Sequence, residues 1–264
     1  MTTRPLRSPS SLHVDPAHRF DGVAQIYAHY RPGYPHEAAI FLSGRLRLDE
    51  RSVVADIGSG TGIFSRCLLD AGLRVIGVEP NDEMRQEAEA RYTGHPRFSS
   101  RRGRAEATGL PDGCVDLVTA AQSFHWFDKI KFRQECQRIL RPEGAVAIVW
   151  NRRDSESPLN RALEALCHTW CPGFEALESG IPRSQTAYPS FFRDGAFVRR
   201  TFHNDLVWDW PDFVGRTMSS SFAPRMGTPS YKPLLTALRN LFDQYSLDGK
   251  LRIKNETLVV LGNV

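Results

Sequence analysis

No stretch of the 264 residues approaches the roughly 20 consecutive apolar side chains that cross a bilayer. A membrane-spanning chain is therefore not expected. Residues 1–18 are polar and proline-bearing and lack the apolar core of a signal peptide. They read as a mobile tail, residues 1–19, on a cytoplasmic protein. Charge of one sign is also scarce, with a net +4. Arg101, Arg102 and Arg104 cluster. No aromatic–basic alternation accompanies them, so they read as a solvated edge and not as a nucleic-acid surface. Cysteine is limited to five scattered residues, Cys67, Cys114, Cys136, Cys167 and Cys171. An odd, scattered set does not suggest a disulfide framework. Cys167 and Cys171 bracket His168, but no second ligand cluster joins them. This favours a helix carrying small apolar thiols, with no metal bound.

What is present is an ordinary core-forming composition, 41% hydrophobic and 24% charged, in a chain long enough to bury a full core. The stretch around which it is organised is 53–62, Val-Val-Ala-Asp-Ile-Gly-Ser-Gly-Thr-Gly. Apolar and small residues around one acid predict a short buried strand. Glycines at 58, 60 and 62 follow, and a helical pattern starts at Ile63. Strand, glycine turn and helix let the backbone approach a ligand closely, because glycine lacks a Cβ and tolerates positive φ. The dinucleotide fingerprint is Gly-x-Gly-x-x-Gly. Glycines at alternate positions, with Asp56 two residues ahead of the first, disfavour a nicotinamide binder.

The pattern predicts four more strands, at 74–79, 97–102, 115–121 and 145–150, alternating with helices over 36–46, from about 81, and over 131–140. Such alternation implies an α/β fold with a parallel, doubly wound sheet. Glu79 closes the second strand about twenty residues beyond the glycine loop, where a carboxylate can accept hydrogen bonds from both hydroxyls of a ribose. Asn81 or Asp82 is the expected cap of the next helix. The fourth strand leads into Gln122-Ser123-Phe124-His125-Trp126-Phe127. Ligands of open α/β sheets bind beyond the carboxyl ends of the strands, so this cluster is expected to face a substrate.

Asp56-Ile57-Gly58-Ser59-Gly60-Thr61-Gly62 resembles the S-adenosylmethionine (SAM) signature of the class I methyltransferases. The segment Tyr27-x-x-Tyr30-Arg31-Pro32-x-Tyr34-Pro35 and the Ala121-to-Phe127 stretch are similar to those of the trans-aconitate methyltransferase-like subgroup. The likeness runs from about 27 to 151. It implies a mostly parallel seven-stranded Rossmann-like sheet completed by an antiparallel C-terminal strand pair, with strands expected at 196–210 and 251–262. The domain reading is a SAM-binding core with its N-terminal cap at 20–151, then 152–264 as the remainder of the sheet with an inserted helical substrate cap. The resemblance implies SAM as cofactor, S-adenosylhomocysteine as product, and no metal. Tyr27 and Arg31 would cap the cofactor. Asp56, Gly58, Ser59, Gly60 and Gly62 would form its loop, Glu79, Pro80 and Met84 would follow the ribose and adenine, and Ala105 and Glu106 would read the exocyclic amine. Gln122 and Ser123 complete that set. Tyr30, Trp126, Trp150, Arg153, Arg216 and Ser220 are the expected acceptor-facing residues.

Transfer of a sulfonium methyl is an in-line displacement, accelerated mainly by positioning and desolvation. A base is needed only if the acceptor carries a proton, and His125 is the candidate for it or else shapes the pocket. The nearest resemblance implies a carboxylic acid acceptor, for which no base is needed and Arg31, Arg153 or Arg216 could bind a second charge. N-, C- or phenol O-methylation of another small metabolite is the alternative. A catalytically silent nucleotide- or SAM-binding regulator and a nicotinamide oxidoreductase are the rivals of another class. Neither a nucleic-acid nor a membrane partner is expected.

Overall fold

The computed structural model describes residues 31–171, 174, 185–220 and 222–264. The tail, the helix expected from Asp21, the cap residues Tyr27 and Tyr30, and much of the segment after 171 lie outside the described residues.

The main sheet has seven strands: β1 (Val53–Ile57), β2 (Arg74–Val78), β3 (Phe98–Arg101), β4 (Val115–Ala121), β5 (Leu140–Arg153), β6 (Val198–His203) and β9 (Asn255–Gly262). Their order is β3-β2-β1-β4-β5-β9-β6. The first five run parallel, and β9 is antiparallel to both its neighbours. Alternate residues of each strand face opposite sides. Ala55, Ile57 and Ile148 join one buried cluster with Phe132 and Phe191. Val54, Ala147 and Val149 join the other with Leu42, Phe64 and Leu68. Helices α1 (His36–Leu46) and α2 (Ile63–Asp70) cover the second face. The first is covered by α4 (Lys129–Ile139) and the short α6 (Tyr188–Phe191). Helix α3 (Asp82–Arg91) follows β2, and Asn81 caps it by accepting from the Met84 amide at 2.9 Å.

Several boundaries differ from the sequence pattern for identifiable reasons. Helix α4 starts at Lys129 and not at 131, because the Asp128 side chain accepts from the Ile130 and Lys131 amides and caps it. Strand β5 extends from 140 to 153, since its distal end finds partners along the whole of β9. The strands expected at 196–210 and 251–262 are each two strands. Asn204 and Asn255 face one another at the breaks: the Asn204 amide donates to the Asn255 carbonyl at 2.9 Å, and Asn255 Nδ2 returns a bond to the Asn204 carbonyl at 3.2 Å. Beyond them β7 (Leu206–Trp208) and β8 (Leu251–Ile253) leave the main sheet and pair with each other. This small sheet packs with α5 (Pro158–Trp170), α7 (Trp210–Met218) and α8 (Tyr231–Tyr245) in a third cluster built on Leu163, Phe213, Leu238 and Phe242. Cys167 lies in α5 and Cys171 caps it, both buried. No helix among the described residues is long and apolar enough to cross a membrane.

Candidate active site

β1 and β4 are neighbours at the point where the strand order reverses, the place where open α/β sheets hold ligands. A cavity opens there, at the strands' carboxyl ends, lined by the glycine loop, by the ends of β2, β4 and β5, and by β7 and α7. Ser123 Oγ donates to the Ile57 carbonyl at 2.8 Å and ties the ends of β1 and β4 together. Gly58 has φ +64°, and a Cβ there would come within 2.7 Å of Ser123 Cβ. Gly60 (φ +56°) is different: an added Cβ would meet nothing within 4 Å, so a side chain would enter the cavity that this glycine lines.

Three carboxylates line one half of the cavity. Glu79 accepts from the Gly60 amide through Oε2 and the Asn81 amide through Oε1, both at 2.9 Å. Burial raises its pKa while those amides oppose the rise. Each oxygen keeps a second lone pair for a ligand. Asp56 is buried; its oxygens accept from Ser65 Oγ at 2.7 Å and Thr119 Oγ1 at 2.8 Å. Burial nevertheless pushes this carboxyl up to about 6. Glu106 Oε1 accepts from the Asp128 amide at 2.8 Å. The buried Met84 and Ala105 supply apolar lining between these acids.

The other half carries Arg31, Arg153 and Arg216, with Trp126, Leu206, Trp208, Asn151 and Asn255. Arg153 is enclosed and opens on the cavity, and no hydrogen bond or ion pair holds its guanidinium among the described residues. Burial pushes its pKa down and Arg31 adds to the fall, while Cys167 and Glu164 work against it. Cys167 feels both Arg153 and Arg216, so the two arginines stand near one thiol. Its pKa is lowered first by hydrogen bonding with Cys171, against burial, and then by those cations.

Of the residues singled out from the sequence, Arg31, Asp56, Gly58, Ser59, Gly60, Glu79, Pro80, Met84, Ala105, Glu106, Gln122, Ser123, Trp126, Arg153 and Arg216 all line this one cavity. Gly62, His125, Trp150 and Ser220 are not among its lining residues. Gly62 caps α2 and gives its carbonyl to Tyr92 Oη at 2.6 Å. The His125 ring packs against Trp126 and Trp150, with centroids 4.2 and 5.4 Å away. Trp150 is wholly buried, its indole nitrogen donating to Tyr188 Oη at 2.8 Å. Ser220 Oγ accepts from Arg216 Nη1 at 3.1 Å. The sequence reading missed Tyr34 and Phe64, which meet edge to face at 4.8 Å. It also missed Asn151, Leu206, Trp208 and Asn255. The Asn204-Asp205 pair, residue types disfavoured in strands, was the available signal for the strand break that brings β7 over the cavity.

The sheet order, the antiparallel ending and a glycine-loop crevice at the switch point define the Rossmann-like methyltransferase fold. Residues 55–148 match a family described as a methyltransferase domain. An uncharacterized methyltransferase-like protein of Schizosaccharomyces pombe is 35% identical over 133 residues, 50% of this chain and 51% of that one. An uncharacterized methyltransferase of Mycobacterium bovis is 38% identical over 135 residues, 51% and 53% of the two chains. The match thus spans about half the length of these curated relatives. A solved candidate type II methyltransferase from Anaeromyxobacter dehalogenans superposes with TM-score 0.64 at 25% identity, covering 89% of this chain and 98% of that one. Fold and domain match together support a methyltransferase of the SAM-dependent class I.

Proposed function

We propose that this chain transfers the methyl group of SAM to a carboxylate of a small acidic molecule, and that it belongs with the trans-aconitate methyltransferase-like subgroup that its 27–35 and 121–127 segments resemble. The observation that carries the acidic acceptor is Arg153. Withdrawing a cation from water without a hydrogen-bonded partner is costly. Arg153 is half-buried, feels the Glu164 carboxylate without forming an ion pair with it, and opens on the same cavity as Arg31, Arg216 and the glycine loop. A ligand carboxylate would complete it with a charge-assisted pair.

The residues of the opposite half fit SAM. Gly60 leaves room where any side chain would intrude, and Glu79 is held by two backbone amides with acceptor capacity to spare for the ribose hydroxyls. Met84 and Ala105 would flank the adenine, with Glu106 toward its amine. Bound there, SAM supplies an electrophilic methyl on a sulfonium. The chain's own part is to hold the acceptor in line and to exclude water, the effects expected to dominate such a displacement. The arginine half fixes the acceptor by its charge, and Trp126, Leu206 and Trp208 give it dry walls. An ionised carboxylate has no proton to lose, so no base is required, in keeping with His125 lying off the cavity lining.

The test is a methyl-transfer screen against small carboxylic acids, phenols and N-heterocycles, followed by Arg153→Ala. Loss of a charged hydrogen bond should raise the acceptor KM about 10- to 100-fold and leave SAM affinity within about twofold. Turnover of phenols or amines with acids inert would overturn the reading.

A further inference from the structure

Residues 31–34 form a strap along one side of the cavity. Arg31, Pro32 and Tyr34 line it. Gly33 contributes its carbonyl oxygen, which accepts from Asn151 Nδ2 and from Asn204 Nδ2, each at 3.0 Å. The same Asn204 nitrogen lies 3.1 Å from Asn151 Oδ1 and 3.2 Å from Thr257 Oγ1. Thr257 Oγ1 donates in turn to Asn151 Oδ1 at 2.5 Å. Asn151 also receives Gln122 Nε2 on its backbone carbonyl at 2.8 Å. Gln122 is one of few non-glycine residues with positive φ, at 56°, a conformation that costs free energy and persists where surrounding contacts hold it. A continuous polar chain therefore crosses the carboxyl end of the sheet. It starts at the end of β4, passes through β5 and β9 to the turn between β6 and β7, and ends on the strap.

The two amide hydrogens of Asn204 meet only acceptors. Asn204 is not a lining residue of the cavity, so whatever it does to a ligand it does through the strap. Beyond Gly33 the strap is held by Tyr34 against Phe64 and by Cys67 Sγ, which donates to the Pro35 carbonyl at 3.4 Å. Both contacts lie on the far side of Gly33 from Arg31. The Gly33 carbonyl is the strap attachment that Asn204 and Asn151 supply, two residues from Arg31.

We infer that Asn204 is a positioning residue, whose side-chain amide latches the strap through the Gly33 carbonyl and so holds Arg31 and Tyr34 at the acceptor end of the cavity. What the strap does for turnover rests on the methyltransferase reading; the latch itself does not. An aspartate at 204 would set a carboxylate against two acceptors, Gly33 O and Asn151 Oδ1, and should loosen the strap more than alanine, which only deletes the donor.

Wild type, Asn204→Ala and Asn204→Asp would be compared at one pH by hydrogen–deuterium exchange, SAM calorimetry and steady-state kinetics with an acid acceptor. The readable strap amides are those of 31, 33 and 34, since Pro32 has none. Their exchange should rise about tenfold in Asn204→Asp and less in Asn204→Ala, while the amides of β1 and β4 keep their protection. The acceptor KM should rise about tenfold in Asn204→Asp, with kcat at saturation within about twofold. Unchanged strap exchange in both variants would overturn the inference. So would a general loss of protection with kcat and KM failing together, the mark of a residue that merely stabilises the sheet. If the wild type binds SAM but turns over no acid, the acceptor reading fails, and strap exchange alone then decides the latch.

Discussion

Asp56 is an acid placed by local sequence and tuned by distant groups. Its position before the glycine loop is legible in the chain itself. Its partners Ser65 and Thr119 stand 9 and 63 residues away, and only folding brings them to its two oxygens. Burial overrides both hydroxyls and lifts the carboxyl from 3.8 to about 6. The folded chain therefore holds this proton more tightly than the unfolded one. Asp56's contribution to stability is fully present below about pH 4 and is lost as pH rises through 6. The gap from 3.8 to about 6 corresponds to roughly 3 kcal/mol. Asp56→Asn, which cannot ionise and can still bond both hydroxyls, should be more stable than wild type at pH 7.5 by up to about that amount. The advantage should vanish near pH 4. Urea unfolding of both proteins from pH 4 to 8 measures it, and a difference independent of pH would show that the buried charge is not the cause.

At the scale of elements, one buried carboxylate helps to join α4 to the segment after β3. Glu135 Oε1 accepts from the Thr108 amide at 2.8 Å, from Thr108 Oγ1 at 2.5 Å and from Arg138 Nη2 at 2.7 Å. Burial works to raise this carboxyl, but the bonds from Arg138 and Thr108 outweigh it and hold the pKa below its usual value. Its stabilising contribution is therefore present above the ordinary glutamate range and fades as pH falls through the folded value. Glu135→Ala leaves two Thr108 donors buried without an acceptor, at a cost of about 1–3 kcal/mol. Because the same segment carries Ala105 and Glu106 to the cavity, SAM affinity should fall with stability. Glu135→Gln should recover part of both. Denaturant titration and calorimetry on the two variants check this. The existence of the helices and parallel strands was legible because their apolar spacing is local. The split of 196–210 and 251–262 was not, because each break exists only where Asn204 meets Asn255 across the sheet.

At the scale of the whole molecule, the described residues form two buried clusters on the sheet faces and a third beneath the β7–β8 cap, with the cavity where sheet and cap meet. A ligand in that cavity binds only the folded arrangement and should stabilise all of it. At a hundred times its dissociation constant SAM would add about 2.7 kcal/mol. For a chain of this size that is a rise in Tm of roughly 5–10 °C. NAD at the same concentration should leave Tm where it was, because the glycines at 58, 60 and 62 do not follow the dinucleotide spacing. An equal rise with NAD would overturn the reading of the loop.

By itself the sequence determined the strand–glycine turn–helix around 53–70, the acid at the end of β2 and the alternation that makes a parallel sheet. Each depends on residues that are neighbours in the chain, so their side-chain spacing and backbone freedom suffice. Tertiary structure alone decided the far half of the cavity. Arg31, Arg153, Trp208, Arg216 and Asn255 are far apart in the sequence and face one another because two antiparallel strands break at the same level and carry a small sheet back over the crevice. It also decided that the Arg153 guanidinium has no hydrogen bond or ion pair among the described residues. That property belongs to the space around Arg153 and not to any spacing of letters, since a buried charge is paired or unpaired only by what folding brings within reach.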